Sequence, residues 1–389
     1  MSDIQEKSLN IILLFSLGVP LDLWQKTGLA AREKAYYQRF SEQGHQVALL
    51  TYGKKDLEYT EFWQPITILP WVGKLTHFVK YACLAPFYHI QAFRSADIVK
   101  SNQSQGSLVG AIAKLVNPKL RFILRCGWVR TKDIIREKEH RTGFRYYRAI
   151  FFEWLGHKLA DAIIVVTESD ADYLVNNYAA SRRKIHIIPN AIDTKRYQFS
   201  DCRIREKIDN NLRIDLLLVG RLVEAKNFHK VFEAVHQLSE IDIHITVAGE
   251  GEFKKELEKL AQQLALQVDF PGSVANDELA ELYRKSDITI MPEAWGSGMP
   301  KVVLEAMASG SIIIASNIRS VNQILRSEDN GFICEPSIES ILESIQAILI
   351  TNEDKLHDIS RNARHEIETK FSMEVCVKKE IELYKSLIK

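Results

Sequence analysis

Two cations, Arg221 and Lys226, lie in the segment VGRLVEAKN at residues 219–227. Gly220 ends an apolar, β-branched run that is typical of a strand, and the two cations follow on the loop into a helical pattern. A helix N-terminus with neighbouring cations binds phosphate, because its backbone N–H groups and its dipole favour negative charge. The segment therefore favours a diphosphate site, and two solvated loop cations are the alternative.

A carboxylate, Glu305, lies inside the otherwise apolar helical pattern of the segment GMPKVVLEAMASG. Pro300 suits the start of this helix and Gly310 suits its end. The polar residues of the helix repeat every four positions; they are Lys301, Glu305 and Ser309. This stripe is either solvated, with an internal ion pair, or it faces a ligand cleft. In the second case the backbone amides at Gly298 and Met299 are placed to bind an anion.

Two other motifs have simpler explanations. The segment GEGEF at 249–253 lacks the third glycine of a dinucleotide fingerprint, so a tight turn is favoured over a pyrophosphate loop. The segment ESDAD at 168–172 contains a DxD pattern, but Thr167 before it and Asp170 within it suit helix capping better than metal binding. No P-loop lysine motif occurs in the sequence, which argues against an NTPase.

These residues need strands and helices to position them, and the chain has two series of both. The first series has predicted strands at 9–17, 45–53, 96–102, 121–126, 161–167 and 184–190, with a helix at 29–44. The second has predicted strands at 214–220, 242–249, 268–272, 287–292, 311–316 and 331–336, and helices at 227–240, 252–266, 276–285, 300–309, 338–350 and 353–370. The polar stretch 193–211 between them is predicted to be a linker. This alternation predicts an α/β protein with two doubly wound parallel sheets and ligands at the carboxyl ends of the strands.

Length and composition agree with two domains in a reducing compartment. The chain has 389 residues, of which 46% are hydrophobic and 26% charged. Its five cysteines are scattered without a CxxC pair, and its eleven histidines lack metal-ligand spacing, so we expect neither disulfides nor a zinc site. The polar N-terminus lacks a signal-peptide core, and the most apolar stretch, 81–93, is too short to span a membrane. We therefore predict a cytoplasmic protein.

The charge is divided unevenly between the halves. Residues 1–200 hold 28 Lys and Arg against 18 Asp and Glu, whereas the remaining residues have a net charge of −9. The segment 129–158 combines cations with aromatics; the cations are Arg130, Lys132, Arg136, Lys138, Arg141, Arg145, Arg148 and Lys158, and the aromatics are Phe144, Tyr146, Tyr147, Phe151, Phe152 and Trp154. Cations on one side and aromatics on the other predict an interfacial helix on an acidic membrane surface, at the inner face of the membrane. The alternative is an ordinary amphipathic helix packed on its domain.

The second half resembles the retaining glycosyltransferases of group 1, family 4, which have the two-domain GT-B fold. Four segments carry the resemblance in order: VGRLVEAKN, VAGEGEFKKELEKLA, VDFPGSVANDELAELYRKSDITIMP and SGMPKVVLEAMASG. The first half matches more weakly, through GHQVALLTYG, ADAIIVVTES and IHIIPNAID. The last segment, FSMEVCVKKEIELYKSLI, is similar to the family's terminal helix, which crosses back to the first domain.

The resemblance implies a role for each candidate residue. Glu305 is expected to bind the ribose hydroxyls of a sugar nucleotide, and Arg221 and Lys226 its diphosphate. Amides of the turn before the helix are expected to meet the sugar and the distal phosphate, and the backbone near Ser273 and Val274 the nucleobase. The expected donor-binding residues are Gly28, Gly220, Arg221, Lys226, Ser273, Val274, Gly298, Met299, Pro300 and Glu305.

The sequence departs from the family at the sugar. The family has a second glutamate eight residues before the first, where this chain has Ser297, and the nearest acid is Glu293. Many members also have a histidine after the strand that matches 121–126, where this chain reads GWVRTKD. We therefore expect either Glu293 or Ser297 to contact the sugar, and both join Arg221 and Lys226 as candidate catalytic residues.

The implied architecture is two doubly wound domains facing across a cleft. Residues 1–192, with the terminal helix at 371–389, would bind the acceptor, and residues 205–370 the nucleotide-sugar donor. The implied reaction is transfer of a sugar from a UDP- or GDP-linked donor to a hydroxyl of a glycan or lipid-linked glycan, with retention of configuration. We expect no cofactor, metal or nucleic-acid partner. The alternatives are a catalytically silent nucleotide-binding or scaffold subunit and, on the same fold, a sugar-nucleotide epimerase.

Overall fold

Short runs of β-branched and apolar residues form the strands of two parallel sheets. The computed structural model describes residues 8–15, 17–26, 28–73, 77–136, 143–294 and 298–388. The strands of the first sheet are β1 (Asn10–Leu14), β2 (Gln46–Leu50), β3 (Thr67–Leu69), β4 (Ile98–Ser101), β5 (Arg121–Cys126), β6 (Ala162–Val165) and β7 (Ile185–Ile187). Those of the second are β8 (Ile214–Val219), β9 (Ile243–Ala248), β10 (Gln267–Gly272), β11 (Ile288–Met291), β12 (Ile312–Ser316) and β13 (Phe332–Cys334).

Helices connect the strands of each sheet. In the first half they are α1 (Leu21–Lys26), α2 (Leu29–Glu42), α3 (Thr60–Trp63), α4 (Phe78–Tyr88), α5 (Ile90–Ser95), α6 (Ser107–Val116), α7 (Arg130–Arg136), α8 (Phe144–Leu159) and α9 (Glu168–Tyr178). In the second half they are α10 (Ile204–Asp209), α11 (Phe228–His236), α12 (Lys254–Gln263), α13 (Asn276–Lys285), α14 (Lys301–Ser309), α15 (Ile338–Ile350), α16 (Glu353–Glu366) and α17 (Met373–Ile388). The shorter turns are Asp56–Tyr59, Ser104–Gly106, Arg182–Lys184 and Glu224–Lys226, and a π-helical turn, Ile367–Phe371, follows α16.

Both sheets are doubly wound, as the alternating pattern predicts. The strand order is β3-β2-β1-β4-β5-β6-β7 in the first sheet and β10-β9-β8-β11-β12-β13 in the second. In each sheet, the first three strands along the chain follow one another toward one edge. The next strand then pairs with the other side of the first strand, and the remaining strands continue toward the opposite edge. The order therefore reverses between β1 and β4 and between β8 and β11. Ligands of such sheets bind at this reversal, outside the carboxyl ends of the strands.

The chain divides into two compact units. The first contains residues 1–189 and 376–389, and the second residues 190–375. The polar stretch 193–211, predicted as a linker, contains α10, because Ile204 is fully buried and Lys207 pairs with Asp215 and Asp287, at 3.0 and 2.6 Å. The assignment of acceptor and donor to these units stays a prediction.

The end of α17 belongs to the first unit through a buried ionic cluster. Glu380 is completely buried, and its Oε2 lies 2.6 Å from Lys100 Nζ on β4. Arg125 on β5 lies 3.7 Å from the other oxygen, and Tyr36 donates a hydrogen bond to it. Burial lowers the pKa of Lys100 to about 8. Burial acts to raise the pKa of Glu380, but Lys100 and Arg125 outweigh it and hold that pKa below its ordinary value.

The apolar stretch at 81–93 folds as part of two short helices, α4 and α5, with Tyr81, Ala82 and Ala85 buried. Among the residues described, none of the helices has the length and apolar character needed to cross a bilayer.

Candidate functional site

The loops at the reversal point of the second sheet carry the residues that the sequence singled out. Arg221 and Lys226 follow β8, and the chain from Glu293 to Glu305 follows β11, which pairs with β8 in parallel register. Both loops leave the carboxyl ends of neighbouring strands. The sheet topology therefore brings the two cations and the start of α14 to one edge of the second unit.

The loop after β8 begins at Gly220, whose backbone φ lies outside the range that residues with a side chain usually adopt. Gly220 has φ of 152°. Arg221 follows with an exposed side chain, and the turn Glu224–Lys226 leads directly to the N-terminus of α11. Both cations lie on the loop between β8 and α11, as the sequence predicts, and their contact with a diphosphate stays a prediction.

The two loops are joined by a direct ion pair. Lys226 Nζ contacts Glu293 Oε1, and the two side chains are only 21% and 16% exposed. Next to it, Asn227 adopts a left-handed conformation (φ 56°) and donates from Nδ2 to the carbonyl oxygen of Pro292, at 2.9 Å. Glu293 is thus a partly buried partner of a candidate phosphate-binding lysine, and not a solvated surface residue.

Sequence reasoning missed Asn227, although an asparagine directly before a helix is a recognisable cap signal. Here it caps nothing with its side chain. Asparagine tolerates the left-handed region better than most residues, so it can turn the chain into α11 and reach the strand-β11 loop with the same side chain.

Glu305 lies one helical turn inside α14 and is half-buried. Its Oε2 accepts a hydrogen bond from the hydroxyl of Tyr283 on α13, at 3.0 Å. Burial, together with Glu305, raises the pKa of Tyr283 well above its ordinary value, so the phenol stays a donor. Tyr283 is a second residue that the sequence did not reveal, because a buried tyrosine on an amphipathic helix has no distinguishing pattern.

The polar stripe of α14 is only partly as predicted. Ser309, its last member, is completely buried, so the stripe is not a solvated face along its whole length. The helix ends at Gly310, as predicted, in a left-handed conformation (φ 90°). A Cβ there would lie 2.0 Å from the carbonyl oxygen of Ser200, so the position requires glycine.

The turn before α14 is buried where it is described. Gly298 has φ of 69°, and Met299 is 8% exposed. The Met299 carbonyl accepts a hydrogen bond from Asn190, at 3.4 Å, and Pro300 is the residue that precedes the helix. Ser297 lies outside the described residues, so its predicted contact is not placed.

Close backbone contacts at the carboxyl edge explain the GEGEF motif. A Cβ on Gly249 would lie 1.9 Å from the Gly220 carbonyl oxygen, and one on Gly251 would lie 2.2 Å from that of Leu222. The Leu222 amide in turn donates to the carbonyl of Glu250. The motif is a tight turn packed on the loop that carries Arg221, as predicted, and the glycines permit that approach.

The remaining predicted donor contacts lie further along the sheets. Ser273 is exposed and Val274 half-buried on the loop after β10. Gly28 lies in the first unit, with φ of 70°, at the start of α2 and after β1, where the first sheet reverses. Their contacts with a ligand stay predictions.

The DxD segment serves helix capping, as predicted. Thr167 Oγ1 accepts a hydrogen bond from the Asp170 amide, at 3.1 Å. Both carboxylate oxygens of Asp170 are engaged, one by Lys132 Nζ at 2.8 Å and one by the Thr167 hydroxyl at 2.7 Å. In the described part of the chain as a whole, no group of three His, Cys, Asp or Glu side chains is placed to hold a metal ion.

The basic aromatic segment differs in detail from the predicted interfacial helix. It forms two helices, α7 and α8, and residues 137–142 and the side chains of Arg136 and Arg145 lie outside the described part. Phe152 is buried in the domain, and Lys132 pairs with Asp170. The strict division into a cationic and an aromatic side is therefore wrong, because α8 uses some of its aromatics for packing.

The exposed face of α8 nevertheless keeps an aromatic stripe at helical spacing. Its members and their exposed fractions are Phe144 (78%), Tyr147 (60%), Phe151 (50%) and Trp154 (48%). The opposite face is unusual because it buries two polar residues. Glu153 accepts hydrogen bonds from Thr131 and Tyr178, whereas His157 is buried with neither ring nitrogen bonded within the described structure.

Two family models match the chain, one in each half. Residues 203–366 match the model described as "Glycosyl transferases group 1", and residues 34–196 match "Glycosyltransferase Family 4". The chain belongs to the group 1, family 4 glycosyltransferases. Its two doubly wound units are those of the family's GT-B fold, as the sequence predicted.

Relatives of this glycosyltransferase cover much of its length at low identity. A UDP-Gal:alpha-D-GlcNAc-diphosphoundecaprenol alpha-1,3-galactosyltransferase of Escherichia coli is 25% identical over 61% of this chain and 64% of its own. An MMP alpha-(1->4)-mannosyltransferase of Mycolicibacterium hassiacum is 23% identical over 75% of this chain and 71% of its own. The alignments with the first three curated relatives span 62% to 65% of those proteins.

Solved structures share the fold across the chain. HepE of Anabaena, solved in complex with UDP and glucose, superposes with a TM-score of 0.72 and 17% identity over 97% of this chain and 100% of its own. A glycosyltransferase from Rickettsia africae gives a TM-score of 0.74 and 18% identity, over 98% and 100%.

Proposed function

We propose that this glycosyltransferase moves a sugar from a UDP-linked donor to a hydroxyl of a lipid-linked acceptor, with retention of configuration. The observation that carries the proposal is the ion pair of Lys226 and Glu293 at the reversal point of the second sheet, beside Arg221. It places a partly buried ammonium group and a carboxylate where ligands of such sheets bind. UDP is favoured because structural neighbours of the same fold were solved with UDP.

In this proposal the two cations hold the donor diphosphate. Lys226 exchanges its contact with Glu293 for a phosphate oxygen, and the exposed guanidinium of Arg221 binds a second oxygen with its paired N–H donors. Amides at Gly298 and Met299 supplement them at the start of α14. Glu305, oriented by Tyr283, accepts the ribose hydroxyls. Ser273 and Val274 meet the base, and Gly28 lets the first unit's loop approach the ligand.

The same groups stabilise the departure of the diphosphate. The bond from the anomeric carbon to the phosphate oxygen breaks, and the acceptor oxygen bonds to that carbon on the same face. The acceptor proton passes to the leaving phosphate oxygen. Negative charge grows on the diphosphate as the bond breaks, so fixed cations at Arg221 and Lys226 lower the barrier. No metal is needed where two cations already lie there.

Displacement of Glu293 from Lys226 gives this carboxylate a second task. Once phosphate neutralises the lysine, the carboxylate is free to accept a hydrogen bond from a sugar hydroxyl. Ser297 is the alternative contact. Glu293 is favoured because its carboxylate already lies at the lysine that would bind the phosphate next to the sugar.

The acceptor is proposed to be lipid-linked because of α8. Its four exposed aromatics repeat at intervals of three and four residues, and two exposed cations, Arg148 and Lys158, lie on the same helix. Aromatics with basic neighbours suit the headgroup region of an acidic bilayer. The net positive charge of residues 1–200 acts in the same direction. The galactosyltransferase relative, whose name gives a diphosphoundecaprenol-linked acceptor, supports this class.

A thermal-shift screen followed by a transfer assay tests the proposal. UDP and UDP-sugars should raise the unfolding midpoint, because a ligand that binds only the folded state stabilises it in proportion to occupancy. The sugar that raises it most is then offered with detergent-solubilised lipid-linked acceptors, and the anomeric configuration of the product is read by NMR. EDTA should leave the rate unchanged. A protein that binds no nucleotide sugar, or whose product is inverted, would contradict the proposal.

A further inference from the structure

A small cavity at the carboxyl edge of the first sheet lies beside the exposed aromatic stripe. It is lined by Ser104, Gln105, Arg130, Arg148, Ala149 and Phe152. These residues come from the turn after β4, from the start of α7 after β5, and from α8. The cavity therefore lies at the edge where doubly wound sheets bind ligands, in the first unit, whereas the cations of the donor site proposed above belong to the second.

Two arginines give this cavity its charge. The Arg130 guanidinium lies 5.5 Å from the centre of the Trp128 ring, and that of Arg148 lies 5.8 Å from the centre of the Phe144 ring. A guanidinium packed on a ring still presents its N–H groups at its edge, in a fork that matches two oxygens of a phosphate. Stacking thus orients both groups without occupying their donors.

Among the described side chains, the lack of a counterion distinguishes these arginines from three buried or half-buried lysines of the same unit. Lys100 pairs with Glu380, Lys114 with Asp161 and Lys132 with Asp170, each within 3 Å. Among the side chains that the structure describes, neither Arg130 nor Arg148 has a carboxylate partner. No described carboxylate therefore competes with an external anion for the charge of this cavity.

The size of the cavity restricts what enters it. Its volume is about 20 Å³. Since a single water needs at least about 10–15 Å³, the cavity admits one phosphoryl oxygen, with the rest of the phosphate at its mouth, but not a sugar ring. Phe144, which stacks on Arg148, is also the first member of the aromatic stripe. A phosphate bound there is therefore next to the surface that would meet the bilayer.

We propose that Arg130 and Arg148 bind the phosphate of a lipid-linked acceptor, which the aromatic stripe of α8 meets at the membrane surface. This inference rests on the proposed function for its acceptor class. Binding of the phosphate fixes the distance between the lipid and the sugar hydroxyl that is to be glycosylated. Acceptors that lack a phosphate would lose this contact.

The test measures binding of geranyl diphosphate, a soluble prenyl diphosphate, to the full chain by calorimetry. Arg130→Gln/Arg148→Gln should weaken binding at least tenfold. Lys158→Gln/Arg183→Gln, which removes the same charge from exposed positions of the same unit, should stay within twofold of wild type. Equal affinity in both double variants would overturn the proposal. If the first variant unfolds, Arg148→Gln alone, at an exposed position, should weaken binding at least threefold, and an unchanged affinity would overturn it equally.

The donor site also offers cations to a diphosphate, so a third variant separates the two sites. Arg221→Ala/Lys226→Ala should lose the thermal shift with UDP and keep its affinity for geranyl diphosphate. Loss of geranyl diphosphate binding in this variant alone would place the prenyl diphosphate in the donor site and overturn the inference. Absence of a UDP shift in the wild type would instead count against the proposed function, whatever the arginine variants do.

A further experiment, with lipid vesicles, tests whether the cavity binds the phosphate of the acceptor or the headgroup of an ordinary lipid. Sedimentation with phosphatidylglycerol vesicles should be equal for Arg130→Gln/Arg148→Gln and for the Lys158→Gln/Arg183→Gln control. A selective loss of vesicle binding in the arginine variant, with geranyl diphosphate affinity intact, would assign the cavity to bulk lipid headgroups and overturn the acceptor proposal.

Discussion

Lys226 has two possible partners at the donor site, and exchange between them is central to the proposed chemistry. Without donor, its ammonium group contacts Glu293. In the donor complex Lys226 instead contacts a diphosphate oxygen. The diphosphate carries more negative charge than the Glu293 carboxylate, and it gains further charge as the bond to the sugar breaks. Removing Lys226 or Arg221 should therefore affect the transition state more than the fold, because both lie on a loop outside the core.

We expect Arg221→Ala and Lys226→Ala each to lose about 2–4 kcal/mol of transition-state stabilisation, the cost of one preorganised electrostatic contact. The measurement is kcat/KM for the donor, together with the unfolding midpoint, which should change little. Near-normal turnover in both variants would contradict the assignment of the diphosphate site.

Glu293→Gln and Ser297→Ala decide between the two candidate sugar contacts. If Glu293 accepts a sugar hydroxyl, its amide variant should lose turnover about tenfold or more, since a charge-assisted contact contributes about 1.5–3 kcal/mol. Affinity for UDP should not weaken, because Lys226 loses a competing carboxylate. Ser297→Ala should then change turnover little. The opposite ranking would assign the sugar contact to Ser297.

Helix α8 combines an outward aromatic stripe with an inward polar pair, and each face has its own consequence. Phe151 and Trp154 are 50% and 48% exposed, and the Phe151 ring meets the ring of Phe152 edge-on. We expect Phe151→Ser/Trp154→Ser to reduce sedimentation with acidic vesicles severalfold at low salt while leaving the unfolding midpoint unchanged. The matched control, Leu57→Ser/Leu115→Ser, removes two other exposed apolar side chains from the first unit and should sediment as wild type does. Equal sedimentation of the two variants would remove the membrane role of α8.

The inward face should make stability depend on pH. Burial lowers the pKa of His157 from 6.5 to about 4. Between about pH 6.5 and pH 4, His157 is protonated in the unfolded chain but not in the folded chain. This group therefore lowers the stability of the fold as the pH falls through that window. His157→Leu should flatten the pH dependence of unfolding between pH 6.5 and 4, by about 1.4 kcal/mol per unit of pKa shift at most. Glu153, whose pKa burial raises, titrates in both proteins. Parallel curves for the two proteins would show that His157 is protonated when folded.

Much of the architecture was predictable from local patterns. Strand 121–126 and helices 276–285 and 338–350 have the observed bounds, because their apolar periods are clear and turn residues flank them. The polar stretch 193–211, predicted to be the linker, contains the short helix α10, which the local pattern does not reveal because α10 depends on long-range ion pairs of Lys207. The inward polar face of α8 could not be predicted from the sequence either, because the partners of Glu153 come from α7 and α9.

The site was predictable where the chemistry is local. Arg221, Lys226 and Glu305 stand out by type and position within single segments. Contacts between segments could not be predicted in this way. The Lys226–Glu293 pair joins residues 67 positions apart, and the Tyr283–Glu305 hydrogen bond joins two helices. The cavity of Arg130 and Arg148 likewise needs three elements to meet. Sequence patterns place residues on an element, and packing decides which elements meet.

At the scale of the whole molecule, the final helix links the two units covalently while burying its charge in one of them. Helix α17 starts in the second unit and continues as residues 376–388 in the first, where Glu380 compensates Lys100 and Arg125. Lys100 is fully buried, whereas the Arg125 side chain is 14% exposed, so loss of the carboxylate leaves the Lys100 charge buried without its partner. The terminal helix therefore stabilises the first sheet although it is last in the chain.

We expect Glu380→Gln to destabilise the first unit by about 3–5 kcal/mol, because removing one partner leaves an uncompensated buried charge. Calorimetry should show the transition of the first unit moving to lower temperature, with that of the second unit less affected. Glu382→Gln, two residues along the same helix, is the control for the loss of a negative charge outside the cluster. Glu380→Gln/Lys100→Met should recover part of the loss, since it removes a buried cation together with its partner. A double variant less stable than Glu380→Gln would mean that packing of the Lys100 side chain, and not its charge, holds α17 on the sheet.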